Sequence, residues 1–181
     1  MVEVDVLEAI KTRRSVRRFK KEKVPPHLLK EVLEAGRWAP SSRNSQPWRF
    51  IVIVDEDLKR RVANATTAGK FLAEAPLGIA VVVDTKATRH PAEDGAAATM
   101  NILLAAHALG LGACWIGSYG SSYEEEVKDM LGIPEGWALL SIVALGYPDE
   151  RPASRRLDLR ELVYVNKFGS KEGLKEVVDL D

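Results

Sequence analysis

The sequence Leu77-Gly78-Ile79-Ala80-Val81-Val82-Val83 decides the fold class more than any other stretch of the chain. A near-continuous run of apolar, mostly β-branched residues predicts a strand that is buried on both faces. Residues 139–146 and 113–117 predict further strands, as do 49–54 and a short run at 162–165. Helical segments separate these strands without a strict βαβ rhythm. We therefore expect an α+β fold with a central mixed or antiparallel sheet of about four or five strands flanked by helices.

Helical spacing of apolar residues predicts the elements that cover this sheet. The longest helix is expected to begin at Asp94, as its N-cap, and to stop at Gly110. It is apolar almost all round, which predicts a place at the centre of the fold or at a subunit interface. Ser122 and Glu125 have the spacing of a capping box for the next helix. Further helices are predicted over 4–12, from Pro26 to about Gly36, after Asp55, and over 171–178.

The composition predicts an ordinary soluble protein. The chain of 181 residues has the length of one domain, so we expect a single domain over residues 1–181. Its formal net charge is zero, so no global field attracts nucleic acid or an acidic membrane. We find no apolar run suited to a membrane span and no secretory signal. Cys114 is the only cysteine, which excludes a disulfide within the chain and fits a cytoplasmic location.

Several common catalytic motifs are missing from the sequence. There is no G-x-x-x-x-G-K-[ST] phosphate loop, and Gly110-Leu111-Gly112 lacks the third glycine and the preceding strand of a dinucleotide fingerprint. His27, His90 and His107 lack the spacing of metal ligands, so we expect no metal site. We interpret His107 as a core or interface residue and Cys114 as an inert buried thiol.

A cluster of arginines follows the first predicted helix, at Arg13, Arg14, Arg17 and Arg18, with Ser15 among them. In one interpretation these cations are solvated and complement the helix dipole, each contributing about 0.3–1 kcal/mol. In the other they form an anion site, because guanidinium groups and a hydroxyl make the multidentate contacts that a phosphate or a flavin edge accepts. A nucleic-acid site is disfavoured, because the cluster is short and has almost no interleaved aromatic residues.

Two further segments concentrate groups that can contact a ligand. The loop between Trp38 and Trp48 carries more directed donors and acceptors than a mere connection needs. Residues 110–117 place glycines on either side of a short strand, which lets backbone amides approach a ligand closely. Each segment also has a purely structural interpretation, the first as a pinned loop and the second as a tight helix-to-strand turn.

Taken together, these segments resemble the nitroreductase family of FMN-dependent oxidoreductases. The motifs that carry the resemblance occur in order along the chain, and the match runs from about residue 7 to 165. They are Arg13-Arg14-Ser15-Val16-Arg17-Arg18-Phe19, Ala39-Pro40-Ser41-Ser42-Arg43-Asn44-Ser45-Gln46-Pro47-Trp48, Leu109-Gly110-Leu111-Gly112 with Cys114-Trp115-Ile116-Gly117, Leu145-Gly146-Tyr147-Pro148, and Arg155-Arg156 before Glu161-Leu162-Val163.

The resemblance implies roles for four residues of the segment 13–18, which we call the arginine turn. Arg13 and Ser15 would contact the phosphate and ribityl region of FMN, and Arg14 would also belong to the cofactor site. Arg17 would lie near the pyrimidine edge of the isoalloxazine ring, where a cation stabilises the charge that builds up on reduction.

The resemblance also implies cofactor contacts from the second half of the chain. The Ile116 backbone N–H would lie near flavin N5, and Gly117 would leave room for the ring. Arg156 would be a late phosphate ligand, with Arg155 as the alternative. Lys70 is expected near the site.

A homodimer is the assembly that the resemblance implies, with each FMN site shared across the interface. The second subunit would supply the loop residues Pro40, Ser41, Ser42, Asn44 and Gln46.

The implied activity is transfer of a hydride from NAD(P)H through FMN to a nitroaromatic, a quinone or a similar small electrophile, by a ping-pong mechanism. No catalytic side chain is then required, because the flavin does the redox chemistry. The alternatives are a flavin-binding sensor or carrier without turnover, and a specialised relative such as a dehalogenase or a flavin-consuming enzyme. A further alternative is a helical interaction module whose arginine turn binds an anionic partner.

Overall fold

The computed structural model describes residues 5–180, and its centre is a four-stranded sheet. The strands are β1 (Trp48–Ile53), β2 (Leu77–Asp84), β3 (Gly112–Gly117) and β4 (Trp137–Gly146). Their order across the sheet is β1-β2-β4-β3, and every pairing is antiparallel. The predicted α+β class is therefore confirmed, and of the two sheet types expected, mixed or antiparallel, the structure has the antiparallel one.

Helices cover both faces of this sheet. The longest of them, the fourth in chain order, contacts all four strands as well as the first two helices of the chain. Short 3₁₀ turns lie at Ser42–Asn44 and Lys70–Glu74. The α-helices are α1 (Val6–Thr12), α2 (Pro26–Arg37), α3 (Glu56–Ala65), α4 (Pro91–Ala108), α5 (Glu124–Leu131), α6 (Leu159–Leu162) and α7 (Leu174–Val178).

The strand β2 is buried on both faces, as its sequence predicts. Ala80 and Val82 belong to the core that includes α3 and the Lys70–Glu74 turn. Ile79 and Val81 belong to the core on the other face, with α2 and α4. Full burial of a valine or isoleucine side chain contributes about 1.5–3 kcal/mol. The strand β2 therefore stabilises the hydrophobic cores on both faces of the sheet.

The helix α4 ends as its sequence predicts and occupies the predicted central position. Gly110 has φ +79°, a conformation that favours glycine. The Leu111 N–H donates to the Ala106 carbonyl and the Gly110 N–H to the His107 carbonyl, the two bonds of a Schellman motif. This tight turn carries the chain directly from α4 into β3.

The start of α4 differs from the prediction. The helix begins at Pro91, which suits a first-turn position because its missing N–H needs no partner there. Asp94 therefore lies inside the first turn and does not cap the helix. Its carboxylate instead binds groups outside the helix, as described below.

The predicted capping box at Ser122 and Glu125 is wrong. The helix α5 begins at Glu124, and Tyr123 is its N-cap without a side-chain capping bond. The Glu124 carboxylate takes a different role, accepting hydrogen bonds from the backbone N–H groups of Gly120 and Leu139. This contact ties the start of α5 to β4.

The predicted strand over 162–165 is also wrong. Asp158 and Glu161 form a capping box that closes the short helix α6 over Leu159–Leu162. The last predicted helix is shorter than expected, at Leu174–Val178. The predicted start of the first helix, Val4, lies outside the described residues. Within residues 5–180, no helix is both long and apolar enough to cross a membrane.

Candidate functional site

The arginine turn lies along the free edge of β3. The Val16 N–H donates to the Ala113 carbonyl over 3.0 Å, and Ser15 pairs with Ala113 in an isolated parallel bridge. Gly112 permits this approach, because a Cβ at that position would lie 2.8 Å from Val16 Cγ1. The turn is therefore held beside β3 as an additional extended segment, and its residues lie with those of β3 at one edge of the sheet.

A carboxylate far along the chain fixes the second half of the turn. Glu150 Oε1 accepts hydrogen bonds from the Arg17 N–H at 2.6 Å and the Arg18 N–H at 3.1 Å. These backbone donors, with the nearby arginine charges, hold the pKa of Glu150 below its ordinary value. The Arg17 guanidinium lies 5.7 Å from the centre of the Phe71 ring. Its backbone is thus fixed while its charge faces an aromatic surface.

Arg13 and Arg156 are cations that the fold brings near each other. Burial lowers the pKa of Arg13, and the charge of Arg156 lowers it further, followed by that of Arg14. Arg13 Nε is buried and has no hydrogen-bond partner among the described residues. A pair of neighbouring guanidinium groups with an unpaired buried donor is the arrangement that an anion would stabilise.

Arg14 and Arg155 differ from Arg13 and Arg156. Arg14 Nη1 donates to the carbonyls of Lys11 and Arg13, both over 2.8 Å, and so caps the end of α1. At Arg14 the structure therefore supports the interpretation of the arginine as a cation that complements the end of its helix. Arg156, and not Arg155, carries the electrostatic coupling to Arg13.

A cavity of about 320 Å³ adjoins the arginine turn at the end of α4. Arg13, Arg14 and His107 are among its lining residues. His107 Nε2 lies 2.7 Å from Thr12 Oγ1, and burial and the charge of Arg13 lower the pKa of His107. The sequence predicts that His107 is a core or interface residue, and the structure shows it partly buried and in contact with Thr12.

Cys114 lies beneath the turn, beside Ser15. Its thiol is buried, and burial raises its pKa, while the nearby charges of Arg17 and Arg13 and the Ser15 hydroxyl oppose that rise. The sequence placed no cation beside Cys114, because both arginines lie about a hundred residues earlier in the chain. The raised pKa still agrees with an inert thiol.

The end of β3 provides an open backbone edge. Ile116 is buried, whereas Gly117 is exposed and a Cβ there would meet only Trp115 Nε1, at 3.9 Å. The Gly117 carbonyl accepts a hydrogen bond from the Tyr123 hydroxyl. Space thus remains over the strand end where the chain would contact a flat ring.

The segment that contains Lys70 packs against this same edge. A Cβ at Gly69 would lie 2.9 Å from Ile116 Cδ1, and Phe71 lies beneath the Arg17 guanidinium. Lys70 sits between these two contacts and is exposed. The expectation that Lys70 lies near the site therefore agrees with the packing of its neighbours.

The loop between Trp38 and Trp48, which we call the polar loop, is held in an unusual backbone conformation. Arg43, Asn44 and Gln46 have φ of 53°, 56° and 47°, which costs free energy for residues other than glycine. Two hydrogen bonds counter this cost. Ser41 Oγ accepts from the Gln46 N–H over 2.9 Å, and the Ser42 N–H donates to the buried Asp94 carboxylate. Pro40 precedes the loop and is exposed.

The structure does not bring this loop to the arginine turn within one chain. Asp94, in the first turn of α4, binds the loop through Ser42. His107, in the last turn of α4, contacts Thr12 beside Arg13. An α-helix rises 1.5 Å per residue, so the 18 residues of α4 separate the two ends by about 27 Å. The predicted site residues therefore form two groups, one at each end of α4.

The chain has clear relatives among known proteins. The model of the family described as "Nitroreductase family" matches residues 10–71 and 65–147. A protein of Methanothermobacter thermautotrophicus, provisionally named NADH dehydrogenase/NAD(P)H nitroreductase, is 37% identical over 169 residues, with 91% of this chain and 88% of the relative covered.

Solved structures resemble the fold over most of its length. An FMN-dependent nitroreductase from Clostridium difficile has a TM-score of 0.85 and 32% identity, covering 90% of this chain and 99% of its own. A provisionally named nitroreductase from Desulfovibrio desulfuricans, solved in complex with FMN, has a TM-score of 0.80 and 35% identity. That match covers 92% of this chain and 99% of the other.

Proposed function

Because the chain belongs to the nitroreductase family, we propose that it is an FMN-dependent oxidoreductase that takes hydride from NAD(P)H. Its acceptor would be a nitroaromatic, a quinone or a similar small electrophile. The same proposal places the enzyme in the cytoplasm, where NAD(P)H is available and Cys114 stays reduced.

The single observation that carries the proposal is the pair Arg13 and Arg156. Their charges lie close enough to lower the pKa of Arg13, and Arg13 Nε is buried without a partner. The FMN phosphate would satisfy both cations with charge-assisted hydrogen bonds. The residues present therefore fit the phosphate end of FMN.

The remaining contacts follow from the direction of the extended turn. Ser15 lies next along the β3 edge and would contact the ribityl chain, and Arg17 would lie at the pyrimidine edge of the ring. The open end of β3 at Ile116 and Gly117 would contact the ring near N5. Bound FMN would supply the redox chemistry by accepting a hydride and passing it on. The protein would bind, orient and stabilise charge, and no side-chain base is needed.

We further propose a homodimer in which the loop of one subunit completes the cofactor site of the other. The separation of about 27 Å along α4 keeps the loop from the arginine turn of its own chain. Apolar side chains are exposed beside that helix, with Val6 63% and Trp38 71% exposed. Both line a groove of about 370 Å³ together with Leu104 of α4. An exposed apolar surface of this kind is typical of an interface.

Steady-state kinetics with an acceptor test the enzymatic proposal. NAD(P)H and the acceptor would occupy the same exposed face in turn, which gives parallel lines in double-reciprocal plots. Intersecting lines would contradict a shared face. A protein that binds FMN but turns over no quinone or nitroaromatic with either donor would instead be a flavin carrier.

Mixed dimers test the shared site directly. Arg13→Ala and Asp94→Ala each damage one of the two groups, so homodimers of either variant would bind FMN weakly at both sites. A heterodimer of the two variants contains one site with neither change and one with both. Co-expression with different affinity tags should therefore restore tight binding of about one FMN per dimer. Weak binding at both sites of the heterodimer would place both groups in one subunit's site.

A further inference from the structure

A second pocket lies at the opposite end of α4 from the arginine turn. It has a volume of about 310 Å³, and we call it the basic pocket. Its lining residues are Ser42, Arg43, Ser45, Lys86, Ala87, Thr88, Arg89 and His90. Ser42, Arg43 and Ser45 also belong to the polar loop, and of the pocket's lining residues only Ser42 is among the cofactor contacts proposed above.

Three cations of the basic pocket have no partner. Within residues 5–180, the side chains of Arg43, Lys86 and Arg89 make no ion pair and no hydrogen bond. The stem of Lys86 packs near Gly136, since a Cβ there would lie 3.3 Å from Lys86 Cε. All three side chains are exposed, so solvent screens the repulsion between them. An anion in the pocket would interact favourably with all three charges.

The carboxylates near the basic pocket already have other partners. Both Asp94 oxygens accept hydrogen bonds, one from the Ser42 N–H at 2.9 Å and one from the Thr88 hydroxyl at 2.6 Å. Glu93 lies 3.5 Å from His90 Nδ1 and is exposed. Asp84 Oδ1 accepts from the backbone N–H of Lys86. No carboxylate lines the pocket itself.

An unpaired hydroxyl lines the same pocket. Ser45 Oγ is buried and has no hydrogen-bond partner among the described residues. Three cations and a free hydroxyl exceed what a single carboxylate can satisfy. A phosphate group carries up to two negative charges and three acceptor oxygens, which matches this set of donors.

We propose that the basic pocket binds a phosphate group. Two sources share this chemistry, the 2′-phosphate of NADPH and free inorganic phosphate. The first source rests on the proposed function. In that proposal the polar loop lies beside the flavin that NAD(P)H must reach, and the basic pocket adjoins the loop. The second source is independent of it.

Titration with inorganic phosphate tests the proposal without any redox reaction. We would follow the ³¹P NMR linewidth of phosphate added to the FMN-loaded protein, in which the cofactor already occupies Arg13. The pocket variant K86A/R89A should weaken phosphate binding roughly tenfold or more, as expected for two lost charge-assisted contacts. The matched control K23A/R61A removes the same two charges at exposed positions outside the pocket and should bind phosphate like the wild type.

Two results would overturn the proposal. One is a wild-type protein that shows no phosphate binding, and the other is a pocket variant that binds phosphate as tightly as the wild type. If FMN does not bind at all, the same titration on Arg13→Ala removes the competing anion site, so the proposed function can fail while this proposal is still tested.

The Michaelis constants of the two donors identify the source. With the 2′-phosphate in the basic pocket, K86A/R89A should raise the KM for NADPH at least fivefold and leave the KM for NADH unchanged. Unchanged values for both donors, together with lost phosphate binding, would assign the pocket to free phosphate.

Discussion

Asp94 Oδ1 accepts a hydrogen bond from the Ser42 backbone N–H, with 2.9 Å between the two atoms. The bond joins residues that are 52 positions apart and attaches the polar loop to the first turn of α4. Asp94 is 5% exposed, and its second oxygen accepts from Thr88 Oγ1. The loop is strained at several residues, so its shape depends on this anchor.

The first prediction concerns the anchor of the loop. Asp94→Ala leaves the Ser42 N–H without its acceptor, which costs about 1–3 kcal/mol for a buried donor. If the loop contacts FMN, the dissociation constant for FMN should rise by roughly 5- to 150-fold. Asp94→Asn keeps one acceptor oxygen and should have a smaller effect.

The control for this prediction is Thr88→Val, which removes the other hydrogen bond of Asp94 but leaves the bond to Ser42. It should lower the free energy of unfolding while changing FMN affinity less than Asp94→Ala. If Asp94→Ala destabilises the protein but leaves FMN affinity unchanged, the loop does not contact the cofactor.

The second prediction separates the two late arginines. Arg13→Ala and Arg156→Ala should each weaken FMN binding by about 1.5–3 kcal/mol, the value of a hydrogen bond to a charged group. Arg155→Ala removes the same charge from the neighbouring position and should change the affinity little, because the coupling to Arg13 involves Arg156. Equilibrium titration with FMN measures all three. Equal losses for Arg155→Ala and Arg156→Ala would refute a specific role for Arg156.

The third prediction concerns Glu150, which holds the backbone of Arg17 and Arg18. The pKa of Glu150 is lowered, chiefly by the hydrogen bond from the Arg17 N–H. The carboxylate therefore stabilises the arginine turn fully at any pH above the ordinary pKa of a glutamate. This stabilisation is lost as the pH falls through the lowered pKa. Glu150→Gln should weaken FMN binding roughly three- to tenfold at neutral pH.

The measurement for Glu150 is the ratio of the variant and wild-type dissociation constants, followed from pH 7 down to about pH 3. The ratio cancels the titration of the FMN phosphate itself, which both proteins share. It should stay constant down to about pH 4.5 and approach one in stronger acid. A ratio of one at neutral pH would show that Glu150 does not support the turn.

The fourth prediction is that Cys114 reacts slowly with thiol reagents in the folded protein. Burial raises its pKa, so the thiolate is scarce at neutral pH despite the nearby Arg17. Labelling with iodoacetamide should be at least tenfold slower in the folded protein than in the protein unfolded in urea. Fast labelling of the folded protein at neutral pH would identify Cys114 as a reactive thiol.

The sequence predicts the sheet well because its signals are local. The alternation that buries both faces of β2 lies within Leu77–Val83 itself, and Gly110 marks the end of α4 through its backbone freedom. The sequence does not predict the start of α4 correctly, because Asp94 and Pro91 both suit a helix start. Only the tertiary contact of Asp94 with Ser42 shows that Asp94 is not the N-cap.

The site is predicted in part, for a similar physical reason. The arginine turn is visible as a local cluster, but its partner Glu150 lies 133 residues from Arg17 and no short pattern connects them. Arg14 belongs to the same cluster and yet caps its own helix. The predicted strand over 162–165 has no pairing partner among residues 5–180, and a strand cannot form from propensity alone.

Anaerobic reduction of the FMN-loaded protein by NADH and NADPH tests the central claim most directly. The visible absorbance of the oxidised flavin should disappear with at least one donor and return when a quinone is added. Flavin that stays oxidised with both donors, in a protein that binds FMN tightly, would contradict the oxidoreductase account.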